Sequence, residues 1–278
     1  MKNLIKKLIA KFLKLYNLKL VKQSFYEIVL KLPRSFFVYA LLSKQKQEKV
    51  FDLLTKSKSQ LGQDIFVSAH TNKSNKNFFV EFGATNGIIH SNTYILEKEL
   101  NWNGILIEPA SIWHKELTKN RNCIIDKRCI YPKTGEEMEF LIVKNENNSD
   151  YIYNGIDPEP GLSSLKEYAD NGDWASEVRL KNSKTEIVET ITLNDLLDFY
   201  NAPNEINYLS IDSEGSELDI LKSFNFSKRK IQIISVEHNY HPINREEIHN
   251  ILSKEGYKRV FEKISKFDDW YILSDVQN

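Results

Sequence analysis

Asn77-Phe78-Phe79-Val80-Glu81-Phe82-Gly83-Ala84-Thr85-Asn86-Gly87 decides how this chain is read. Its first six residues are mostly apolar, as in a buried strand, and carry an acid near their end. The next five are small and include two glycines, as in a tight strand-to-helix turn. Ser91-Asn92-Thr93 offers N-cap side chains, and TYILEKEL continues at helical spacing. Trp102 to Gly104 turns the chain into Ile105-Leu106-Ile107-Glu108, a second strand closed by an acid. A helix around Trp113 to Asn120 and a third strand over Cys123 to Ile130 follow. This β-α-β-α-β order predicts an α/β fold: a doubly wound, mostly parallel sheet with helices on both faces.

Downstream, the rhythm breaks and returns. Residues 144–185 are rich in Asn, Gly, Pro and Ser, and read as a lid or acceptor-binding insert. From Thr190 the regular pattern resumes, with a helix over Leu193 to Phe199 and a strand over Asn207 to Asp212. Ser213-Glu214-Gly215-Ser216-Glu217 is that strand's turn, and Leu218 to Phe224 is a helix. Ile231 to Val236 is nearly all apolar, as a central parallel strand should be, with Glu237-His238-Asn239 at its end. A helix over Arg245 to Gly256 and a strand over Trp270 to Leu273 close the pattern.

Upstream, Lys44 to Leu61 reads as a helix with Val50, Phe51, Leu53 and Leu54 buried, and Pro33 ends or bends the section before it. In residues 1–22, Leu4, Ile5, Leu8, Ile9, Phe12, Leu15 and Tyr16 recur at helical spacing among lysines. That helix suits packing on the body or on a second subunit of a homo-oligomer. It equally suits lying on an anionic membrane surface. Residues 1–58 are therefore an N-terminal helical extension and residues 59–278 the main domain.

Lys+Arg and Asp+Glu are 38 each, so a whole-protein electrostatic case for nucleic acid fails. The balance is uneven: residues 1–31 hold eight Lys and one Glu, leaving the rest of the chain net acidic. Lys6, Lys7, Lys11 and Lys14 interrupt any signal-peptide core, and the run from Phe36 to Leu42 is too short to span a bilayer. The expectation is a cytoplasmic protein, peripheral at most to the inner membrane face. Cys123 and Cys129 on one strand would lie about 20 Å apart, and are read as two reduced thiols.

In open α/β sheets ligands bind outside the carboxyl ends of the strands. This chain puts Glu81, Glu108, Asp212, Glu214, Glu237 and His238 there. Only two glycines stand in the Glu81-to-Gly87 turn, so it is not a dinucleotide fingerprint. Glu108, 21 residues after Gly87, has the spacing of a ribose-binding acid. Glu81 would repel phosphates and suit a cation. A ribose beside an ammonium or a sulfonium is S-adenosylmethionine.

SQLGQDIFV (59–67), FFVEFGATNG (78–87), SNTYILE (91–97), WNGILIEPA (102–110), YLSIDSEGSELDIL (208–221) and ISVEHNY (234–240) together resemble the FkbM-type methyltransferase family, in that family's order. The likeness runs from about Ser59 to Leu273. It implies a class I, Rossmann-like fold with a seven-stranded sheet, and O-methylation, commonly of a sugar hydroxyl in a glycan or natural product. Carried over, Glu81, Gly83, Ala84, Thr85 and Gly87 would form the cofactor turn. Asn92 and Thr93 would stand near the methionine moiety. Glu108 and Pro109 would lie at the ribose, and Lys127 and Arg128 at the adenine side. Asp212-Ser213-Glu214-Gly215 matches the family's D-x-E-G signature at the methyl-transfer site.

A sugar hydroxyl must lose its proton to act as nucleophile, through a base or a metal. Asp212 and His238 are the expected proton-handling pair, with Glu214 beside them. Asp212 and Glu214 could alternatively ligate Mg²⁺ or Mn²⁺. Tyr151, Tyr153, Gly161, Ser163, Ser164 and Trp174 of the insert, with Glu237, are the expected acceptor contacts. Two rivals stand: a metal-dependent glycosyltransferase using Asp212 and Glu214, and a membrane-docked protein without catalysis.

Overall fold

Strand β1 (Phe78–Phe82) sits inside a seven-stranded sheet of the computed structural model, which describes residues 33–72, 74, 76–143, 160–173 and 175–274, with Lys7, Ala10 and Lys11. The other strands are β2 (Asn103–Ile107), β3 (Ile124–Asp126), β4 (Cys129–Ile130), β5 (Glu137–Val143) and β6 (Ser164–Leu165). They continue with β7 (Ser183–Ile191), β8 (Glu205–Ile211), β9 (Lys230–Glu237), β10 (Tyr257–Val260) and β11 (Asp268–Leu273). The helices are α1 (Arg34–Leu41), α2 (Lys44–Val50), α3 (Gln63–His70), α4 (Tyr94–Lys98) and α5 (His114–Asn120). After them come α6 (Ser176–Lys181), α7 (Leu193–Phe199), α8 (Glu217–Ser223) and α9 (Pro242–Lys254).

The main sheet runs β3-β2-β1-β8-β9-β11-β10. Neighbours from β3 to β9 are parallel, while β11 is antiparallel to both β9 and β10. This is the doubly wound, seven-stranded class I sheet expected from sequence. Strand residues alternate between two cores, as the period of two demands. Val80, Ile105, Leu209 and Ile234 pack against α7, α8 and α9 through Leu196, Leu221 and Leu252. Phe79, Leu106, Tyr208 and Ile233 pack on the other face with Ile65, Phe66, Ile95 and Leu117. Val38, Leu42, Val50, Leu53 and Leu54 join that second core, where the described part of the extension packs onto α3.

Four sequence readings change. The expected third strand is two: β3 ends at Asp126, where Arg128 folds back on the Asp126 carboxylate, and β4 leaves for another sheet. That second sheet runs β4-β7-β5-β6, and takes β6, α6 and the start of β7 from the supposed 144–185 loop. Its longest strand, β7, was hidden by a largely exposed, polar sequence. The Lys44–Leu61 helix stops at Val50 and gives way to a 3₁₀ turn, Phe51–Leu53. Phe51 is then 39% exposed rather than buried. The 1–22 helix, like most of residues 1–32, lies outside the described residues.

Both cysteines are free, and burial pushes the Cys129 thiol up to about 12, which leaves it inert. Among the described residues, no helix is long and apolar enough to cross a membrane.

Candidate active site

Acids gather along one rim of the main sheet, where its parallel strands end. Asp268 joins them because β11 is reversed, so that its first residue pairs with Glu237 at the end of β9.

Glu81 is 3% exposed. Its carboxylate accepts the Asn92 N–H at 2.5 Å, the Ser91 hydroxyl at 3.0 Å and the Thr93 hydroxyl at 2.5 Å. Arg121 Nη1 lies 3.8 Å away. Burial pushes this carboxyl up, and Arg121 opposes the shift. Ser91, Asn92 and Thr93 thus do not cap α4 with their side chains, as their sequence suggested; Ser91 and Thr93 are spent on Glu81. The expected ligand-facing acid is instead a support for the 91–93 segment. Asn92 also donates to Ser210 Oγ at 2.9 Å, and its Oδ1 is buried without a hydrogen-bond partner among the described residues.

The turn after β1 also differs from expectation. α4 begins at Tyr94, just after Ser91-Asn92-Thr93 as read from the sequence, but the turn's two glycines face protein. Gly83 has φ +67°, and a Cβ there would sit 2.5 Å from the backbone oxygen of Asp212. At Gly87 a Cβ would meet Arg121 Cγ at 2.6 Å. Both glycines therefore make room for protein rather than for a ligand. Thr85 carries positive φ of 47° without being glycine, a strained conformation of the kind found at functional sites. Its N–H donates to Glu108 Oε2 at 2.7 Å. Ala110 N–H donates to Glu108 Oε1 at 2.8 Å. Burial pushes Glu108 up to about 7, and each oxygen keeps a further lone pair. Pro109 is half-buried and Lys127 exposed. Arg128 is committed to Asp126, with its guanidinium 4.7 Å from the Phe199 ring centroid.

Asp212, Glu214 and Glu237 bring one oxygen each within 4.8 Å of one another. Asp212 and Glu237 lie close enough for their carboxyls to share a proton. Burial first, then their neighbours' negative charge, raises both well above the usual carboxylate range. Asn239 Nδ2 donates to Glu237 at 2.8 Å. Burial pushes Glu214 up to about 7 against the opposing charge of Arg179. Glu217 ties the turn together by accepting the Ser213 N–H at 2.9 Å and the Gly215 N–H at 3.0 Å. Asp268 accepts from Gln63 at 2.7 Å and is pushed up to about 7, mainly by burial.

His238 does not join this group. Its Nδ1 accepts the Tyr240 N–H at 3.0 Å, and its Nε2 faces Asp269 at 3.8 Å. Desolvation lowers its pKa. Ser163 Oγ accepts the Val143 N–H at 3.0 Å, and Ser164 is fully buried. Ser164 is thus closed to an acceptor, while Ser163 is half-buried. Tyr151, Tyr153 and Trp174 lie outside the described residues.

Sequence reasoning missed Asp126, Asp268 and Arg179. The strand-end rule would have found Asp126 had β3 been ended correctly. Asp268 was missed because, in a reversed strand, the residue at this rim is the first and not the last.

Residues 81–259, about two thirds of the chain, match the model of the methyltransferase FkbM domain. The chain belongs to the FkbM methyltransferase family. A crystal structure of methyltransferase FkbM from Methylobacillus flagellatus KT is similar at 14% identity and a TM-score of 0.44, over 90% of this chain and 60% of that one. This chain thus spans about 60% of that protein's length. The crystal structure of a fibrillarin/Nop5p complex is similar at 11% identity and a TM-score of 0.37, over 77% and 79% of the two chains. Superpositions this loose say nothing about substrate. No curated protein matches.

Proposed function

We propose that this FkbM-family chain transfers the methyl group of S-adenosylmethionine to a hydroxyl oxygen of a sugar, in a glycan or glycoconjugate, in the cytoplasm. The observation that carries the donor is the rim of buried acids with too little countercharge: Glu108, Asp212, Glu237 and Asp268. A buried, like-charged cluster costs on the order of several kcal/mol per ion unless a cation meets it. The donor set therefore fits a ligand with a sulfonium and an ammonium. The unpartnered Asn92 Oδ1 adds a buried acceptor of the same polarity. The sugar acceptor rests on the family alone.

Glu108 would hold the ribose hydroxyls on its free lone pairs. The Gly83–Gly87 turn and Asn92 would flank the rest of the donor. When bound, S-adenosylmethionine supplies an electrophilic methyl group. The chain's own work is to align the acceptor oxygen with that group and to take its proton. The Asp212–Glu237 pair suits the proton transfer, since whichever carboxylate is unprotonated can accept the hydroxyl proton. Their raised affinity for protons makes them stronger bases than an ordinary carboxylate. His238, with Nδ1 used and Nε2 turned to Asp269, is dropped from this role.

Titration calorimetry with S-adenosylmethionine, S-adenosylhomocysteine and a nucleotide sugar with Mn²⁺ tests the reading. Binding of the first two supports it. A nucleotide sugar bound in their place would replace it with the glycosyltransferase. The three clustered oxygens keep a metal in view, so methyl transfer is also measured after chelation; loss of activity restored by Mg²⁺ or Mn²⁺ would assign the cluster to an ion. Vesicle sedimentation with and without residues 1–22 tests contact with an anionic membrane.

A further inference from the structure

Arg179 is fully buried, yet it stands in none of the six stretches that carry the family likeness. Its guanidinium donates to both oxygens of Asp173 at 2.9 Å, to the Leu162 carbonyl at 2.9 Å, and to Glu214. Asp173 is held in turn, accepting the Ala175 N–H at 2.9 Å. One side chain therefore joins both ends of the 160–181 segment and ties them to the acidic turn after β8.

Two further contacts run the same way. Tyr168 OH donates to Asp219 of α8 at 2.8 Å. Gly215 has φ +127°, and a Cβ there would lie 2.8 Å from Tyr168 Cβ. The glycine of the D-x-E-G stretch is thus explained by the segment docked above it. Glu214 itself sits at positive φ of 57°, a conformation that surrounding contacts must hold.

We infer that Arg179 is a positioning residue for methyl transfer: through Glu214 it couples the docking of residues 160–181 to the shape of the Asp212-Ser213-Glu214-Gly215 turn, so that the site is whole only when the accessory layer is seated on it. The guanidinium suits this role better than an ammonium would, because its planar fork grips Asp173 while a separate donor reaches Glu214. The functional meaning rests on that turn being the transfer site. The coupling itself does not.

Hydrogen–deuterium exchange on the full chain, without cofactor, separates the two. Arg179→Met and Glu214→Asn are compared with wild type; Asn tolerates the left-handed backbone at 214 while removing the charge. Each is expected to speed exchange of the 162–181 amides about tenfold, with the double variant no worse than the single ones. Asp212→Asn, on the same turn but without a bond to Arg179, is expected to leave those amides at the wild-type rate. Arg179→Lys should restore part of the protection. The inference is overturned if Glu214→Asn leaves residues 162–181 protected, because Arg179 would then serve its own segment alone. It is equally overturned if Asp212→Asn loosens them as much. Should Arg179→Met fail to fold, the Glu214→Asn and Asp212→Asn pair still decides. Donor binding by calorimetry stands apart from this result, so the donor assignment and the clamp can fail separately.

Discussion

The two rims of the main sheet treat charge in opposite ways. Where the parallel strands end, Glu108, Asp212, Glu237 and Asp268 are withdrawn from water, and Asp212, Glu237 and Asp268 repel one another. Where the strands begin, Asn204, Lys228, Arg229, Lys230 and Tyr257 surround a cavity of about 480 Å³. There the charges pair across the surface, Arg229 with Asp198 at 2.5 Å and Lys228 with the same carboxylate at 3.9 Å. An exposed pair of that kind contributes about 1 kcal/mol or less. Burying like charges opposes folding, so the first rim is shaped by something other than stability. Chemistry is read from where charge is hidden, not from where it is abundant.

The sharpest break of this contrast is a pair of substitutions, one per rim. Asp212→Asn should lower transfer of labelled methyl to host glycoconjugates by about 100-fold or more, well beyond its loss of about tenfold or less in S-adenosylmethionine binding. Lys230→Ala should change neither. Equal losses at both rims would end the distinction.

Next in size is the pH dependence of stability. Glu108 and Asp268 are held near 7, above the usual carboxylate range, so the folded chain binds more protons than the unfolded one between those values. Their contribution is complete below the unfolded pKa and is lost as pH rises through about 7. The cofactor-free chain should therefore melt several degrees lower at pH 8 than at pH 5.5, at up to about 1.4 kcal/mol per pH unit for each group. Glu108→Gln or Asp268→Asn should flatten that slope. A Tm that climbs with pH would contradict the burial of these acids.

The ligand should show the same groups with the sign reversed. As the acids ionise, preference for the sulfonium of S-adenosylmethionine over uncharged-sulfur S-adenosylhomocysteine should grow about tenfold between pH 5.5 and 8, measured by calorimetry. A constant ratio would mean that the rim does not sense the sulfonium. Smallest of all, Arg229→Ala should cost about 1 kcal/mol or less in a denaturant titration.

Much of this rim was legible in the sequence, because strand ends can be counted from apolar runs. Glu108, Asp212 and Glu237 were found that way. Direction within the rim was not legible: nothing in the residue order says that Glu81 turns inward to Ser91 and Thr93, or that His238 spends Nδ1 on a backbone amide. The accessory sheet escaped for another reason. Its β7 strand keeps a mostly wet face, so Lys184, Thr185 and Glu186 resemble loop chemistry. Arg179 was hidden by the same effect, since a lone arginine in a polar stretch is usually solvated and only the fold shows it buried.

The reversal of β11 also dictates an order of assembly. β10 comes earlier in the chain, but β11 lies between it and β9, so β10 has no place on the sheet until residues 268–273 have slotted in. A product cut short before Asp268 would keep the donor turn and the transfer loop while lacking Asp268 at the acidic rim and the strand that joins β10 to the sheet. Catalytic competence should therefore arrive late and all at once, with the insertion of a single six-residue strand.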